Sequence, residues 1–144
     1  MKNFIIVLCF FQFIISCKFN GNLTYENEKS EKQDAESVAA LLYLYTSRED
    51  YNKILELISD SFFKVSSRKL TIDYLLDKKI NAGKFKYFTL KNWQTKRTLG
   101  DNPKNEYLLI YEVTYTNKKL LETIILVKEK AQIKIISYSF NEVK

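Results

Sequence analysis

Histidine is absent from this 144-residue chain, and both cysteines, Cys9 and Cys17, lie close to the amino terminus. Residues 18–144 therefore contain neither an imidazole nor a thiol. This inventory excludes catalysis by a histidine base, zinc sites built from histidine or cysteine, disulfides and thiol nucleophiles. We accordingly expect no metal site and no cofactor in the main part of the protein.

The chain also lacks an apolar run long enough to cross a membrane. Its longest run, residues 4–15, has 12 residues interrupted only by Gln12, whereas a transmembrane helix needs about 20 apolar residues. With Lys2 before it, the run is typical of a secretory signal. It ends in Ile14-Ile15-Ser16-Cys17, which resembles the lipobox of bacterial lipoproteins. The resemblance implies cleavage after Ser16 and acylation of Cys17, which would anchor the protein in the bacterial cell envelope, at the outer membrane or the cell membrane.

Two other interpretations of the amino terminus stay open: an ordinary secretory signal, and a short anchor that is not cleaved. The polar residues that follow, including Lys18, Asn20 and the run 26–34, favour a linker over a continuing helix. We therefore divide the chain into a signal peptide (1–16), a flexible tether (17–32) and one domain (33–144). A domain of that size can bury a core without metal or disulfide.

The charge balance is basic, with 23 Lys and Arg against 17 Asp and Glu. The pairs Lys96-Arg97 and Lys118-Lys119 are candidates for contact with anionic headgroups or an anionic polymer. The alternative is an ordinary solvated surface, since the basic residues are scattered among acids. Nucleic acid is not an expected partner, because export removes the usual substrate.

Apolar spacing in the first half of the chain predicts three amphipathic helices, at residues 31–46 and 49–59 and from residue 70 or 71 to residue 82. Gly83 follows the third helix, where a left-handed C-cap residue is favoured. The predicted inward face of that helix consists of Ile72, Leu75, Leu76 and Ile80.

The second half of the chain is rich in β-forming residues. Strands are predicted at residues 85–98, 107–116, 120–128 and 132–140, and their short connections require antiparallel neighbours. Helices followed by a four-stranded meander predict an α+β fold, in which about three helices pack on one face of a curved antiparallel sheet. Neither face of the central strands is purely polar, which favours that curvature.

This order of elements resembles small bacterial envelope domains of the NTF2-like (cystatin-like) superfamily, and in particular an uncharacterised family within it. The motifs that carry the resemblance are Asn117-Lys118, Glu122-Thr123 and Ser137-Tyr138, where the usual glycine is Ser137. The likeness spans roughly residues 35–140. It implies a cone-shaped fold with a cavity between sheet and helices, and it assigns no catalytic residues.

A row of tyrosines is the main candidate for ligand contact. Tyr107, Tyr111 and Tyr115 alternate along one predicted strand, and Tyr87 and Trp93 lie on the neighbouring strand. Aromatic side chains at alternate positions can line a ligand pocket or form a recognition surface. The alternative is a cross-strand ladder that belongs to the core.

Carboxylates give a second candidate chemistry, since a buried acid with a raised pKa can serve as general acid or base. Glu112 and Glu122 lie on predicted strands, whereas Asp73 and Asp77 are expected to point outward from the third helix.

These observations leave three hypotheses. The leading one is a non-catalytic, membrane-anchored lipoprotein that binds a small apolar ligand or a protein partner. The second is a histidine-independent lyase or isomerase using tyrosine with Asp or Glu. The third is a structural or surface-exposed lipoprotein, with a homodimer through the open sheet face as one possible form.

Overall fold

Five antiparallel strands form one open sheet in the order β1-β2-β3-β4-β5 in the computed structural model, which describes residues 23–143. Three α-helices and one short 3₁₀ helix cover it, so the predicted α+β class with three helices is confirmed. The strands are β1 Leu23–Glu26, β2 Phe85–Leu99, β3 Lys104–Tyr115, β4 Lys119–Glu129 and β5 Gln132–Glu142. The helices are α1 Lys29–Arg48, α2 Tyr51–Leu57 and α3 Arg68–Ala82, with the 3₁₀ helix at Phe62–Lys64.

The prediction of four strands was wrong, because β1 precedes the helices and forms the edge of the sheet next to β2. Leu23 pairs with Leu99 and Glu26 with Lys96, and the Asn27 side chain accepts a hydrogen bond from the Thr95 amide at 3.2 Å. This strand lies inside the segment interpreted as a flexible tether. Its four residues are exposed, so it has no buried apolar face from which a strand could be recognised in the sequence.

Local capping explains where the last two helices begin. The Asp50 side chain accepts from the Lys53 amide at 3.3 Å at the start of α2, and the Ser67 hydroxyl accepts from the Leu70 amide at 3.1 Å at the start of α3. Each bond satisfies one of the donors that a helix leaves unpaired at its first turn.

Gly83 ends α3 with φ +88, a conformation that residues with a side chain rarely adopt. It also lies against the β3–β4 turn, where an added Cβ would be 2.0 Å from Thr116 Oγ1. The Lys84 amide donates to the same oxygen at 2.9 Å. The glycine therefore permits close approach between the end of α3 and the turn.

The core lies between the helices and one face of the sheet. On that face β3 contributes Tyr107, Leu109, Tyr111, Val113 and Tyr115, all buried. Helix α1 covers them with Ala35, Ala39, Leu42 and Tyr43. Three bulges interrupt the strand register. They lie between Phe85 and Tyr87, between Leu90 and Asn92, and in β5 opposite Ile125 and Leu126. Such bulges increase the local bend and twist of a sheet.

The predicted inward face of α3 was right for two of its four residues, since Leu75 is buried and Ile72 is partly buried against the core, and wrong for Leu76 and Ile80. Ile80 is 74% exposed, and Leu76 lies at the surface. The residues that α3 buries are Thr71, Leu75, Lys78 and Ala82. The physical reason is that Lys78 has a buried counter-ion on β4, which an apolar pattern cannot reveal.

Candidate functional site

A buried ion pair joins α3 to the sheet. The ammonium nitrogen of Lys78 lies 3.3 Å from Glu122 Oε1, and the two side chains are 3% and 0% exposed. Isolated charges are rarely tolerated in a core, because removing an ion from water costs several kcal/mol unless partners replace its hydration. The two residues therefore depend on each other and on their neighbours.

Two tyrosines complete this site, which we call the Lys78–Glu122 cluster and define as Lys78, Tyr115, Glu122 and Tyr138. Lys78 Nζ lies 2.8 Å from the Tyr115 hydroxyl and 2.5 Å from the Tyr138 hydroxyl. Tyr115 donates to Glu122 Oε1 at 2.6 Å, and Tyr138 donates to Oε2 at 2.5 Å. The three protons of the ammonium and both hydroxyl protons thus each have an acceptor within the cluster.

The strand register explains why these four residues meet. Glu122 follows Tyr115 across the β3–β4 turn, where Val113 pairs with Leu120. Tyr138 pairs with Ile124, the next residue of β4 on the same face as Glu122. Helix α3 brings Lys78 onto this face one turn before its end, where the Asn117 amide donates to the Ala82 carbonyl at 3.0 Å.

Burial shifts the acid–base properties of the cluster. It lowers the pKa of Lys78, and the nearby Glu122 carboxylate opposes that shift. Burial, followed by the charge of Glu122, raises the pKa of both Tyr115 and Tyr138 well above the ordinary range. The tyrosines therefore remain protonated donors to the carboxylate.

Tyr43 of α1 lies beside the cluster. Burial and the charge of Glu122 raise its pKa in the same direction. Among the described residues its buried hydroxyl has no hydrogen-bond partner, while its ring stacks on Phe88 at 4.4 Å between centroids. An unpaired buried hydroxyl costs about 1–3 kcal/mol of folding free energy, which the packing around the Tyr43 ring must offset.

An apolar cavity of about 290 Å³ opens between α2, the 3₁₀ helix, α3 and β5, and we call it the α3 groove. Tyr138 separates it from the Lys78–Glu122 cluster. Among residues 23–143 no Asp, Glu, Lys or Arg lines it, and its rim includes Leu70, which is 61% exposed. Its lining consists of Leu42, Ile54, Ile58, Phe62, Ser66, Leu70, Thr71, Tyr74, Leu75, Ile135 and Tyr138.

A second cavity, of about 210 Å³, lies on the other side of the cluster, where α1, α2 and α3 come together. Lys78 and Tyr115 form part of its wall. Lys79 and Glu49 form an ion pair there, and both side chains are partly exposed. The cluster therefore separates an apolar cavity from a polar one.

The predicted tyrosine row exists, but it lies within the core. Tyr107 donates to Glu31 Oε2 at 2.7 Å, and Tyr111 makes edge contacts with Tyr43 and Phe88. Of the three, only Tyr115 reaches the cluster. None of the three lines the α3 groove.

The other two predicted aromatic residues do not share one face. Tyr87 pairs with Thr114, so it lies on the open face of the sheet, where it is exposed. Trp93 pairs with Leu109 on the helix side, with Lys32 Nζ 5.4 Å from the centre of its ring. The bulge between Leu90 and Asn92 shifts the register between them, which a strict alternation cannot anticipate.

The candidate acids separate clearly by environment. Glu122 is buried in the cluster, whereas Glu112 lies on the open face within 4 Å of Lys91 and Lys119. Asp73 pairs with Lys69 on the exposed side of α3. Asp77 lines an open depression at the end of that helix.

Both predicted basic pairs contain an ion-paired member. Arg97 lies 3.5 Å from Glu31, and Lys118 lies 2.8 Å from Glu142. The Lys118 contact is exposed, as expected for an ordinary solvated surface, whereas the half-exposed Arg97 contacts a buried carboxylate.

Sequence reasoning missed Lys78 and Tyr138 as members of the site. The available signal was Glu122, a single charge inside the apolar run 120–127, since a buried acid requires a partner. Lys78 lies three residues after Leu75, on the same side of a helix as a core residue. That pairing of two charges on apolar faces is the pattern that could have suggested the contact.

Comparison with known proteins adds no name to this site. No protein-family model matches the chain, and no curated protein or solved structure is significantly similar to it. Within residues 23–143 no helix has the length and hydrophobicity to cross a bilayer, and no cluster of three metal-ligating side chains was found. The signal peptide, the lipobox and Cys17 lie outside the described residues.

Proposed function

We propose that this protein is a bacterial envelope lipoprotein, anchored through acylated Cys17, whose domain binds a small apolar ligand in the α3 groove. The anchor is supported by the apolar run 4–15 and the tetrapeptide Ile14-Ile15-Ser16-Cys17. The resemblance to NTF2-like domains supports a cavity between helices and sheet, and the α3 groove lies in that position. The alternative occupant of the groove is an apolar segment of a protein partner.

The observation that carries the proposal is that, in the part of the chain that the structure describes, no charged side chain lines the α3 groove and apolar side chains dominate its wall. Its volume of about 290 Å³ lies at the lower limit of ordinary ligand pockets. Ser66, just before α3, and Tyr74 on it offer hydroxyl groups to the groove, and the Thr71 hydroxyl, which donates to the Ser67 carbonyl, can still accept. A compact apolar molecule with one polar group fits that chemistry.

The closed hydrogen-bond network of the cluster favours binding over catalysis. Lys78 uses its three protons on Glu122, Tyr115 and Tyr138, and each tyrosine donates to the carboxylate. A substrate would have to break one of these buried bonds before it met a free acid or base. Such a bond to a charged group contributes about 1.5–3 kcal/mol.

A histidine-independent lyase or isomerase is the second candidate, because one predicted acid, Glu122, and one predicted tyrosine, Tyr115, are in contact. Clusters of buried titratable groups with shifted pKa values are enriched at catalytic sites. This candidate requires that Tyr138 or Lys78 move and leave Glu122 open to the cavity. Solvent-proton exchange of carbonyl compounds would test it, with the more stable Lys78→Met and Glu122→Gln double variant as the inactive control.

Binding of an uncharged fluorescent naphthylamine dye to the chain from Leu23 onward tests the leading proposal. Leu70→Asp adds a charge at the rim, at a position exposed enough to tolerate it. The matched control is Ile80→Asp, because Ile80 lies on the same helix, is even more exposed and does not line the groove.

We expect the rim variant to weaken dye binding at least about tenfold, since a bound dye would cover the new carboxylate and remove it from water, and the control variant to change it less than about twofold. Equal affinity in both variants, or no dye binding to the parent chain, would reject the groove as the site.

A further inference from the structure

The position of β1 limits how far the domain can lie from a bilayer. The strand begins at Leu23, so only residues 18–22 separate an acylated Cys17 from the folded sheet. The six residue steps from Cys17 to Leu23 span at most about 20 Å even when fully extended. The anchor therefore holds Leu23 near the lipid surface, whatever conformation those residues adopt.

Leu23 lies at one end of the sheet, and other chain segments meet there. It pairs with Leu99, the last residue of β2, so the β2–β3 loop 100–103 is at the same end. The β4–β5 turn is there too, because Glu106 near the start of β3 pairs with Val127 near the end of β4. Ser59 donates to Glu129 Oε1 at 2.5 Å, which brings the segment 60–67 to this end.

We infer that the domain docks on the bilayer surface through this end, which we call the anchored end and define as Leu23, 60–67, 100–104 and 130–131. The inference rests on the lipid anchor of the proposed function. The opposite end, at the β3–β4 turn 116–118, cannot face the lipid instead. It is separated from Lys104 by the 12 residues of β3, a distance of about 40 Å, twice the reach of the tether.

The side chains at the anchored end fit a lipid surface. Val65 is 88% exposed, and Lys64 and Lys130 are exposed to anionic headgroups, while the exposed Lys104 pairs with Glu106 at 2.6 Å. Each lysine near an anionic surface contributes about 1 kcal/mol of attraction. The far end is also rich in lysine, at residues 84, 86, 118 and 119, so charge alone does not choose between the ends. The length of the tether decides which end of the sheet lies at the lipid surface.

The orientation has a consequence for the α3 groove. Helix α3 begins with Arg68 beside the anchored end and finishes with Ala82, whose carbonyl accepts from Asn117 at the far end. Leu70 lies in the first turn of α3, so the part of the groove rim that it forms is near the lipid. An apolar molecule dissolved in the bilayer could enter from there.

Site-specific fluorescence on the natively acylated chain tests the inference. With Cys17 acylated the mature chain has no other thiol, so a single introduced cysteine is labelled uniquely. The three variants are Asp101→Cys at the anchored end, Lys119→Cys at the far end and Thr89→Cys on the open face. Each is attached to phosphatidylcholine and phosphatidylglycerol vesicles that contain a spin-labelled quenching lipid.

We expect the label at position 101 to be quenched about three times more strongly than those at 89 and 119, because the tether reaches only about 20 Å. Insertion of 20 Gly and Ser residues after Asn22 should largely remove the difference, since such a linker has an r.m.s. length of about 25 Å.

Equal quenching at the three positions, or stronger quenching at 89 or 119, would overturn the docking inference while leaving the anchor intact. A mass spectrum showing an unacylated mature chain would instead overturn the anchor of the proposed function and, with it, this inference. The two failures are therefore distinguished by the mass of the protein before any fluorescence is measured.

Discussion

Lys78 and Glu122 lie 44 residues apart in the chain and form a salt bridge of 3.3 Å that is almost completely removed from water. The contact joins α3, one turn before its end, to strand β4. Tyr115 and Tyr138 enclose it and supply the hydrogen bonds that bulk water would otherwise provide. The stability of this half of the core therefore depends on a matched set of polar groups.

Removing one charge of the pair should destabilise the protein strongly. In Glu122→Gln, Lys78 keeps a buried positive charge without a counter-ion, a change that typically costs about 3–5 kcal/mol. Urea denaturation of the domain measures the loss. The control is Glu112→Gln on the open face, for which we expect less than about 1 kcal/mol. Similar losses in the two variants would contradict the interpretation of the cluster.

Removing both charges should cost less than removing one. Lys78→Met with Glu122→Gln leaves no buried ion, and the glutamine oxygen can still accept from a tyrosine hydroxyl. Replacement of a complete buried pair is often close to neutral. We expect the double variant to recover at least about 2 kcal/mol relative to Glu122→Gln alone. A double variant less stable than the single one would show that the pair itself contributes net stability.

Stability should fall at high pH. Burial raises the pKa of Tyr43, Tyr107, Tyr111, Tyr115 and Tyr138 above the ordinary value of about 10. Above pH 10 these groups ionise in the unfolded chain but not in the fold, so the folded state binds more protons. Each such tyrosine then lowers the free energy of unfolding by about 1.4 kcal/mol for every pH unit above 10.

Lys78 acts in the opposite direction. Its pKa is lowered in the fold, so the unfolded chain binds the extra proton and stability rises with pH up to the unfolded value. One lysine is outnumbered by five tyrosines above pH 10. Unfolding monitored by tyrosinate absorbance between pH 8 and 12 should show a net loss, and Tyr138→Phe should reduce the slope. A pH-independent midpoint would be inconsistent with these shifts.

Gly83→Ala should destabilise the junction between α3 and the β3–β4 turn. The new methyl group would meet Thr116 Oγ1 at 2.0 Å in a backbone conformation that alanine rarely adopts. We expect a loss of at least about 2 kcal/mol in thermal or urea unfolding. Combining it with Thr116→Ala removes the nearest atom and should recover part of the loss. A stable Gly83→Ala protein would mean that the turn can shift without cost.

Strand β1 should contribute measurably to stability despite its exposure. A chain that begins at Leu23 retains β1, whereas one that begins at Asn27 leaves the edge of β2 unpaired from Lys96 to Leu99. At about 0.5–1.5 kcal/mol per hydrogen bond, we expect the shorter chain to lose roughly 2–4 kcal/mol. Amide exchange at Arg97 and Leu99, whose amides point to β1 as that of Thr95 points to Asn27, should also accelerate. Identical exchange in the two chains would return residues 23–26 to the tether.

Several features of the fold could be predicted because they depend on neighbours in sequence. The periods of apolar residues located three helices, and the short connections after Leu99, Tyr115 and Glu129 required an antiparallel meander. Gly83 after the third helix marked its end. The lipobox is likewise a local pattern, and Cys17 stays a prediction.

The tertiary structure decided the features that depend on partners far apart in the chain. Strand β1 forms because its backbone pairs with the edge of β2. Residues Leu23–Glu26 have no buried apolar face that would predict a strand from the sequence. Lys78 points inward because it pairs with the buried Glu122 carboxylate on β4. Ile80 is exposed as a result, although its hydrophobicity predicted burial. A local pattern records the periodicity of an element, whereas the free energy of burying a charge depends on which opposite charge the fold brings beside it.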